Sequence, residues 1–399
     1  MDCETNRVCA FGNVSRYMFI FIVCIAVLIA DIVVANFRSL SPAVAATTTG
    51  GAVEQSLPIR DQALVQAVCT SSTSCISYGT VSSIGNSAGL YLSTDGGSTW
   101  TQNPNALQTN SANVMAAQSN LSCPSASVCY FASGVNGVNE STDSGSTWKV
   151  VSGTSLLSYN LVSIACVSTI DCVIDGTDMS TNSPAILVST NSGSSWVADT
   201  LPSSVTSSFL FSGVSLSCDS GGVCLADTTD NNVFPPVIKV LLSTNDGNSW
   251  SDITSNFGSN TIQNVYCSNA NTSECLVSSV GSVYITTNSG VSWTQETSGL
   301  PSGMQLGTSF CSSSTQCYVA SSFTDQMYET VNQGVSWTLL TLPSQLTSTS
   351  FINSIYCSST SDCVAVGTNA SLAQGFSIVT TNGGSSFTYG LVTPIRAHQ

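Results

Sequence analysis

Ser93-Thr94-Asp95-Gly96-Gly97-Ser98-Thr99-Trp100 is the stretch that decides how this chain folds. The same octapeptide returns at Ser141–Trp148 (STDSGSTW), Ser189–Trp196 (STNSGSSW) and Ser243–Trp250 (STNDGNSW). It recurs again at Thr286–Trp293 (TTNSGVSW), Thr330–Trp337 (TVNQGVSW) and Thr380–Phe387 (TTNGGSSF). Self-similar units 43 to 54 residues apart are the mark of a repeat architecture. All six tryptophans of the chain close a copy of the motif, and Phe387 takes that place in the seventh.

The motif has a physical logic. Asp95, Asp143, Asn191, Asn245, Asn288, Asn332 and Asn382 stand at its third position, where a short polar side chain caps backbone N–H groups in a tight turn. The glycine two residues later supplies a backbone conformation with positive φ. The hydroxyl residue before the turn and the aromatic after it begin two flanking strands. Trp100, Trp148, Trp196, Trp250, Trp293, Trp337 and Phe387 are expected to bury their rings between neighbouring repeats.

A cysteine pair keeps step upstream of each octapeptide. The pairs are Cys69/Cys75, Cys123/Cys129, Cys166/Cys172, Cys218/Cys224, Cys267/Cys275, Cys311/Cys317 and Cys357/Cys363. The remaining cysteines, Cys3, Cys9 and Cys24, lie near the N-terminus. Regular pairs in an exported chain read as disulfides, each closing a short loop worth roughly 2 kcal/mol. Metal binding is the competing expectation, but the spacing is not a usual zinc spacing and histidine partners are missing.

One repeat then resolves into four strands, in the first copy Leu64–Cys69, Cys75–Val81, Leu90–Thr94 and Thr99–Gln102. Four antiparallel strands at this period describe a propeller blade, and seven blades close a ring without a long exposed edge. The expected fold is all-β: a seven-bladed β-propeller over residues 62–394. Residues 46–61 form a linker or an extra edge strand, and 395–399 a tail.

The octapeptides resemble the Asp-box, or BNR, repeat (S/T-x-D/N-x-G-x-x-W/F), with seven matches in register. That family includes sialidases, xyloglucanase-like glycosidases, sortilin-type receptors and photosystem II assembly-factor-like propellers. With a cysteine pair per blade, the chain looks like exported bacterial BNR-repeat proteins. Five boxes carry Asn rather than Asp, a swap the turn tolerates because either side chain accepts the backbone hydrogen bonds. The resemblance implies a fold, and a function hardly at all, because one fold hosts many chemistries.

Composition narrows the function. Charged residues make up 7% of the chain, against roughly 25% in ordinary domains, and the net charge is −15 with seven Lys and Arg. Nucleic acid and anionic membrane surfaces are excluded as partners by that poverty of cations. Sialidases resemble one another in an arginine cluster for the substrate carboxylate. The propeller here holds only Lys149 and Lys239, with Arg60 and Arg396 just outside it. The single His398 is at the C-terminus, which excludes a Ser-His-Asp triad and histidine metal sites. So few charges also predict tolerance of acid.

Tyr17 to Ala30 is an unbroken apolar run with Arg7 and Arg16 before it, and Ala43-Val44-Ala45 offers a small-residue cleavage site. Residues 1–45 read either as a cleaved secretory signal or as an uncleaved anchor. Both place the body outside the cytoplasm, secreted or at the cell surface, with the membrane met only through this segment.

The remaining candidates are acids. Asp175 and Asp178 follow the second cysteine of blade three by three and six residues, and Asp227 and Asp230 do the same in blade four. Three readings stand: solvated loop acids, a Ca²⁺ site formed by the four, or an acid/base pair. The loops between second and third strands are expected at Gly176–Ala185, Thr228–Val237 and Gly367–Gly375, on the face opposite the disulfide loops. Asp171 and Asp362 read as turn residues, Glu140 and Glu274 as surface polar residues. Tyr78, Tyr130, Tyr266, Tyr318 and Tyr356 read as packing between blades. Asn120, Asn139, Asn271 and Asn369 lie in N-x-Ser sequons. The expected function is that of a non-enzymatic propeller binding a protein or a glycan through its variable-loop face. The alternatives are a glycosidase with a carboxylate pair and an assembly factor for a membrane complex.

Overall fold

The computed structural model describes residues 62–81, 87–103, 119–133, 137–151, 156–211, 216–371 and 374–393. The N-terminal segment, the linker, the tail, Arg60, Arg396, His398, Cys3, Cys9 and Cys24 lie outside the described residues. Contacts group the chain into Met1–Ser56 and Leu57–Gln399, and the blades belong to the second unit. Among the described residues no helix is long and apolar enough to cross a membrane.

Seven antiparallel blades follow one another along the chain. Blade 1 is β1 (Gln62–Cys69), β2 (Cys75–Val81), β3 (Ser87–Ser93) and β4 (Thr99–Gln102). Blade 2 is β5 (Ser119–Ser122), β6 (Cys129–Ser133), β7 (Val138–Ser141) and β8 (Lys149–Val150). Blade 3 is β9 (Tyr159–Cys166), β10 (Cys172–Asp178), β11 (Ser183–Ser189) and β12 (Val197–Ala198). In blade 4 two short strands, β13 (Phe209–Leu210) and β14 (Leu216–Cys218), share the inner position beside β15 (Cys224–Asp230), followed by β16 (Val237–Ser243) and β17 (Ser251–Asp252). Blade 5 is β18 (Ile262–Cys267), β19 (Cys275–Ser279), β20 (Ser282–Thr286) and β21 (Thr294–Glu296). Blade 6 is β22 (Leu306–Cys311), β23 (Cys317–Ser321), β24 (Met327–Thr330) and β25 (Thr338–Leu339). Blade 7 is β26 (Ser350–Cys357), β27 (Cys363–Asn369), β28 (Gln374–Thr380) and β29 (Thr388–Thr393).

The octapeptide turn is built from its own side chains. In blade 1, Ser93 Oγ donates to Asp95 Oδ1 (2.8 Å) and accepts from Gly97 N (2.8 Å), while Thr99 N donates to Asp95 Oδ1 (2.8 Å). The fourth and fifth residues both take positive φ in all seven copies, for example Ser144 at 58° and Gly145 at 85°. The Asp-to-Asn swap reverses one bond. Thr99 Oγ1 donates to Asp95 Oδ2 (2.6 Å), whereas Asn191 Nδ2 donates to Ser195 Oγ (2.7 Å). A hydroxyl at the seventh position donates or accepts as required.

That turn is also tied to the disulfide loop. The fourth residue's N–H reaches the carbonyl two residues before the second cysteine in every blade, from Gly96 to Thr73 (2.8 Å) through to Gly383 and Ser361 (2.9 Å). All seven cysteine pairs are disulfide-bonded. Disulfide loops and octapeptides therefore share one end of the propeller.

The core is a set of seven clusters, one between each pair of adjacent blades. The octapeptide aromatic sits in the cluster facing the preceding blade, as Trp250 does with Val173 and Ile186 of blade 3. The octapeptide glycine leans the same way: a Cβ on Gly145 would lie 2.4 Å from Ile76 Cδ1 of blade 1. Glycine is thus fixed twice, by its dihedral and by the closeness of the next blade.

The ring closes between blades 7 and 1. β29 pairs in parallel with β4, Leu391 opposite Thr99. Ser377 Oγ donates to the Gly97 carbonyl (2.7 Å), and Trp100 packs with Val364 and Val379. Each blade is continuous in sequence, so the N-terminal part of the described chain does not complete the last blade. The loops between second and third strands are shorter than expected, because pairing runs on to Asp178↔Ser183, Asp230↔Val237 and Asn369↔Gln374.

Candidate functional site

The inner strand of each blade leaves one backbone edge facing the propeller axis. Between these edges runs a channel of about 1190 Å³, lined by inner strands of all seven blades. Bare strand edges need partners, and polar side chains supply them across blades. Gln66 bonds both the N–H (2.6 Å) and the carbonyl (3.1 Å) of Leu121. Ser122 Oγ accepts from Cys166 N, and Ser217 Oγ from Cys267 N, each at 2.9 Å. Asn353 Nδ2 donates to the Leu64 carbonyl at 2.8 Å. Asn353 is the extra residue of a β-bulge, as is Gln263 in blade 5, and the bulge re-aims its side chain.

Against this neutral lining two features stand out. Tyr266, Phe310 and Tyr356 each precede the first cysteine of blades 5, 6 and 7 and meet ring to ring, with centroids 5.3 and 4.9 Å apart. The other tyrosines of the sequence set, Tyr78, Tyr130 and Tyr318, are buried between blades as expected. Tyr266 and Tyr356 instead border the channel, which corrects their reading as packing residues alone. Asp227 is the second feature. It is the only Asp, Glu, Lys, Arg or His among the described lining residues. It accepts no hydrogen bond from any described residue, and desolvation alone pushes its pKa up to about 7.

The four aspartates singled out in the sequence are not loop residues, and they go separate ways. Residues three apart on a strand point to opposite faces of the sheet, so Asp175 parts from Asp178 and Asp227 from Asp230. Asp175 is fully buried and accepts from Ser163 N at 2.8 Å, beside the bulge of β9. Asp178 caps its own turn, taking Ser180 N and Oγ at 2.8 and 2.7 Å, which holds its pKa below the usual range. Asp230 accepts from Ser208 Oγ (2.7 Å) and Asn232 N (2.9 Å). The expected four-carboxylate grouping is therefore not what the blades assemble. Among the described residues, one trio of Cys, Asp and Glu brings its ligand atoms within 4.8 Å: Glu274, Cys311 and Cys317. Both of its sulfurs are already spent in a disulfide.

Two surface assignments are also corrected. Glu274 is fully buried, because the longer disulfide loop of blade 5 turns it inward against the blade 6 disulfide. Its Oε1 lies 3.6 Å from Cys317 Sγ, and desolvation raises its pKa to about 7. Glu140 is largely covered and paired with Lys149 at 2.9 Å. Lys239 pairs with Asp252 at 2.9 Å, so both described cations are engaged. Asp171 and Asp362 are turn residues, each taking serine hydroxyls of its own loop. Of the sequon asparagines, Asn120, Asn139 and Asn369 are buried, and Asn271 is half-buried against Glu274.

The opposite end, made by the loops after second and fourth strands, carries exposed apolar side chains on adjacent blades. Leu157 and Met179 of blade 3 are 67% and 47% exposed, and Val233 and Phe234 of blade 4 are 44% and 81% exposed. Loop length is the only sequence feature that points to this patch, because single apolar residues in loops follow no periodicity.

No protein-family model matches the chain, and no curated protein matches its sequence. Solved structures do resemble it. YCF48 bound to D1 peptide is similar at a TM-score of 0.56 and 13% identity, over 78% of this chain and 92% of that one. YCF48 from Cyanidioschyzon merolae is similar at 0.56 and 15%, over 81% and 96%. An ancestral GH74 enzyme is similar at 0.57 and 14%, over 84% of this chain and 47% of that one. At these identities the likeness is one of fold, and the chain is a seven-bladed β-propeller with one disulfide in each blade.

Proposed function

We propose that this protein is a non-enzymatic interaction propeller of the Asp-box class, exported, that binds a protein or glycan at the loop end of blades 3 and 4. The observation that carries the proposal is the apolar group Leu157, Met179, Val233 and Phe234, held in solvent on neighbouring blades of a protein whose other apolar side chains are mostly packed. Such patches mark interaction surfaces. YCF48, a propeller of like fold, is bound to D1 peptide in its solved structure, which supports a peptide as one ligand class. Seven disulfides support an oxidising compartment, and the side-chain bonding of the octapeptides supports the Asp-box assignment.

A glycosidase in the manner of GH74 enzymes is the rival. It calls for two facing carboxyl groups, and among the described residues the channel lining offers Asp227 alone. Calcium at Asp175, Asp178, Asp227 and Asp230 is no part of the proposal, since strand alternation separates them.

Screening the full chain against glycan and peptide arrays tests the proposal. Its binders are expected to lose at least tenfold in affinity with Met179→Ser/Phe234→Ser and to keep it with Val331→Ser at the other end. Binders indifferent to the double substitution, or sugar release from an arrayed glycan, would overturn it.

A further inference from the structure

Blade 5 departs from the repeat at its disulfide loop. Its cysteines stand eight residues apart, against six in every other blade. The longer loop carries Glu274 across to the next blade. Asp171 and Asp362 hold the same place, directly before the second cysteine, yet each bonds serine hydroxyls of its own loop. Glu274 instead lies fully buried against the blade 6 bridge, its Oε1 3.9 Å from Cys311 Sγ and 3.6 Å from Cys317 Sγ. Among the described residues this is the one place where a carboxyl oxygen comes within 4.8 Å of both sulfurs of a disulfide.

Thiol–disulfide exchange can use such a contact. A thiolate attacks one sulfur and expels the other, and the expelled sulfur leaves more readily when its charge is quenched. A carboxyl that keeps its proton to near neutrality can hand it over. Desolvation raises the Glu274 pKa to about 7, against the downward pull of Asn271 Nδ2, which donates to Oε2 at 3.3 Å. Cys311, at the end of β22, borders the axial channel. Cys317 opens β23, one strand farther out, and is the sulfur nearer the carboxyl.

We infer that Cys311–Cys317 is a thiol-exchange site, with Glu274 the acid that protonates Cys317 as it departs. A thiolate of a small dithiol enters along the channel and attacks Cys311 Sγ. The S–S bond breaks and a mixed disulfide forms on Cys311. Cys317 Sγ takes the electron pair of the broken bond and the Glu274 proton. The second thiolate of the dithiol then attacks its own partner sulfur in the mixed disulfide and expels Cys311 as a thiolate, which solvent protonates. The dithiol leaves oxidised as a cyclic disulfide, the cysteine pair is left reduced by two electrons, and Glu274 regains its proton from solvent. This site does not depend on the loop-end surface of blades 3 and 4.

Blade 5 supplies the control. Cys267–Cys275 is as deeply buried as Cys311–Cys317, and Cys267 also borders the channel. Among the described residues no carboxyl meets both of its sulfurs in the same way. Access alone therefore predicts similar opening rates for the two bridges. The groups that face Glu274 stay neutral around it. Asn271 belongs to its own loop, β22 and β23 bring the bridged sulfurs, and burial holds the Tyr266 hydroxyl on β18 above its usual range.

After free thiols are blocked, the full chain is treated with dithiothreitol at pH 6 and pH 8.5. Opened cysteines are alkylated and mapped by mass spectrometry over time. Both bridges meet the same thiolate concentration, so the ratio of their opening rates cancels its pH dependence. At pH 6 Cys311–Cys317 is expected to open about tenfold faster than Cys267–Cys275, or more. At pH 8.5 the ratio is expected to fall close to one, because Glu274 has given up its proton. Glu274→Gln, which has no acidic proton, is expected to bring the ratio close to one at pH 6. A ratio near one at pH 6 in the parent, a ratio that does not move with pH, faster opening that survives in Glu274→Gln, or all seven bridges opening together overturns the inference. The pH arm uses the unaltered protein, so it decides even if Glu274→Gln fails to fold.

Discussion

At the residue scale the octapeptide separates two kinds of positive-φ position. Ser144 and Gly145 both lie in the left-handed region, at 58° and 85°. The first faces the disulfide loop, which Ser144 Oγ bonds at Ala126 (2.8 Å), and it tolerates a side chain. The second has Ile76 of the preceding blade where a Cβ would go. Gly145→Ala is therefore expected to cost about 2–4 kcal/mol through strain and overpacking together. Ser144→Gly is expected to stay within about 1 kcal/mol of the parent, relief of strain offsetting lost entropy. Urea unfolding of the two variants checks this, and equal losses would mean that the dihedral alone explains the glycine. The glycine requirement was visible in seven aligned copies. Its second cause was not, because it involves a neighbour some 70 positions away.

At the scale of strands and loops, the sequence located β2 and β4 to the residue, since cysteine and octapeptide bracket them. It missed the start of β3, because Ser87-Ala88-Gly89 carries no strand signal and pairs only by register with β2. The bulges of the inner strands were equally hidden, as one extra residue leaves the alternation locally plausible. Hence the aspartates were placed in loops when they are strand residues on opposite faces, and the channel residues Asp227 and Phe310 could not be grouped. Closure between blades 7 and 1 is a pairing of two short strands, and Gly390 is its tightest point. A Cβ there would lie 2.2 Å from Ser377 Oγ and 2.7 Å from the Ser98 carbonyl. Gly390→Val is expected to cost about 2–3 kcal/mol and to raise amide exchange in blades 1 and 7 while blades 3 to 5 keep their protection. A uniform rise across all blades would show that the ring opens as one unit and that this seam holds no special place.

At the scale of the whole molecule, a chain of 22 acids and few bases meets pH through two kinds of carboxyl, those held by hydrogen bonds and those desolvated by the fold. Asp95, Asp143 and Asp252 are held below the ordinary range by hydrogen bonds, which outweigh the effect of burial. Their contribution is present above the unfolded value near 3.8 and fades as pH falls through their folded values. Glu274 and Asp227 run the other way, with folded values raised to about 7 by desolvation. Below its unfolded pKa each carries a proton in both states. As pH rises towards 7 the unfolded chain releases that proton and the native fold retains it, so stability falls. Relief of self-repulsion on acidification acts in the same direction. The propeller is therefore expected to melt at a higher temperature at pH 5 than at pH 8. Glu274→Gln is expected to narrow that gap by raising stability at pH 8, by an amount on the order of 3 kcal/mol at most, with little effect at pH 5. Calorimetric melting across pH 4 to 9 measures both quantities. A flat profile, or a Glu274→Gln variant stabilised equally at both pH values, would mean that the buried carboxyls do not govern how this fold responds to acid.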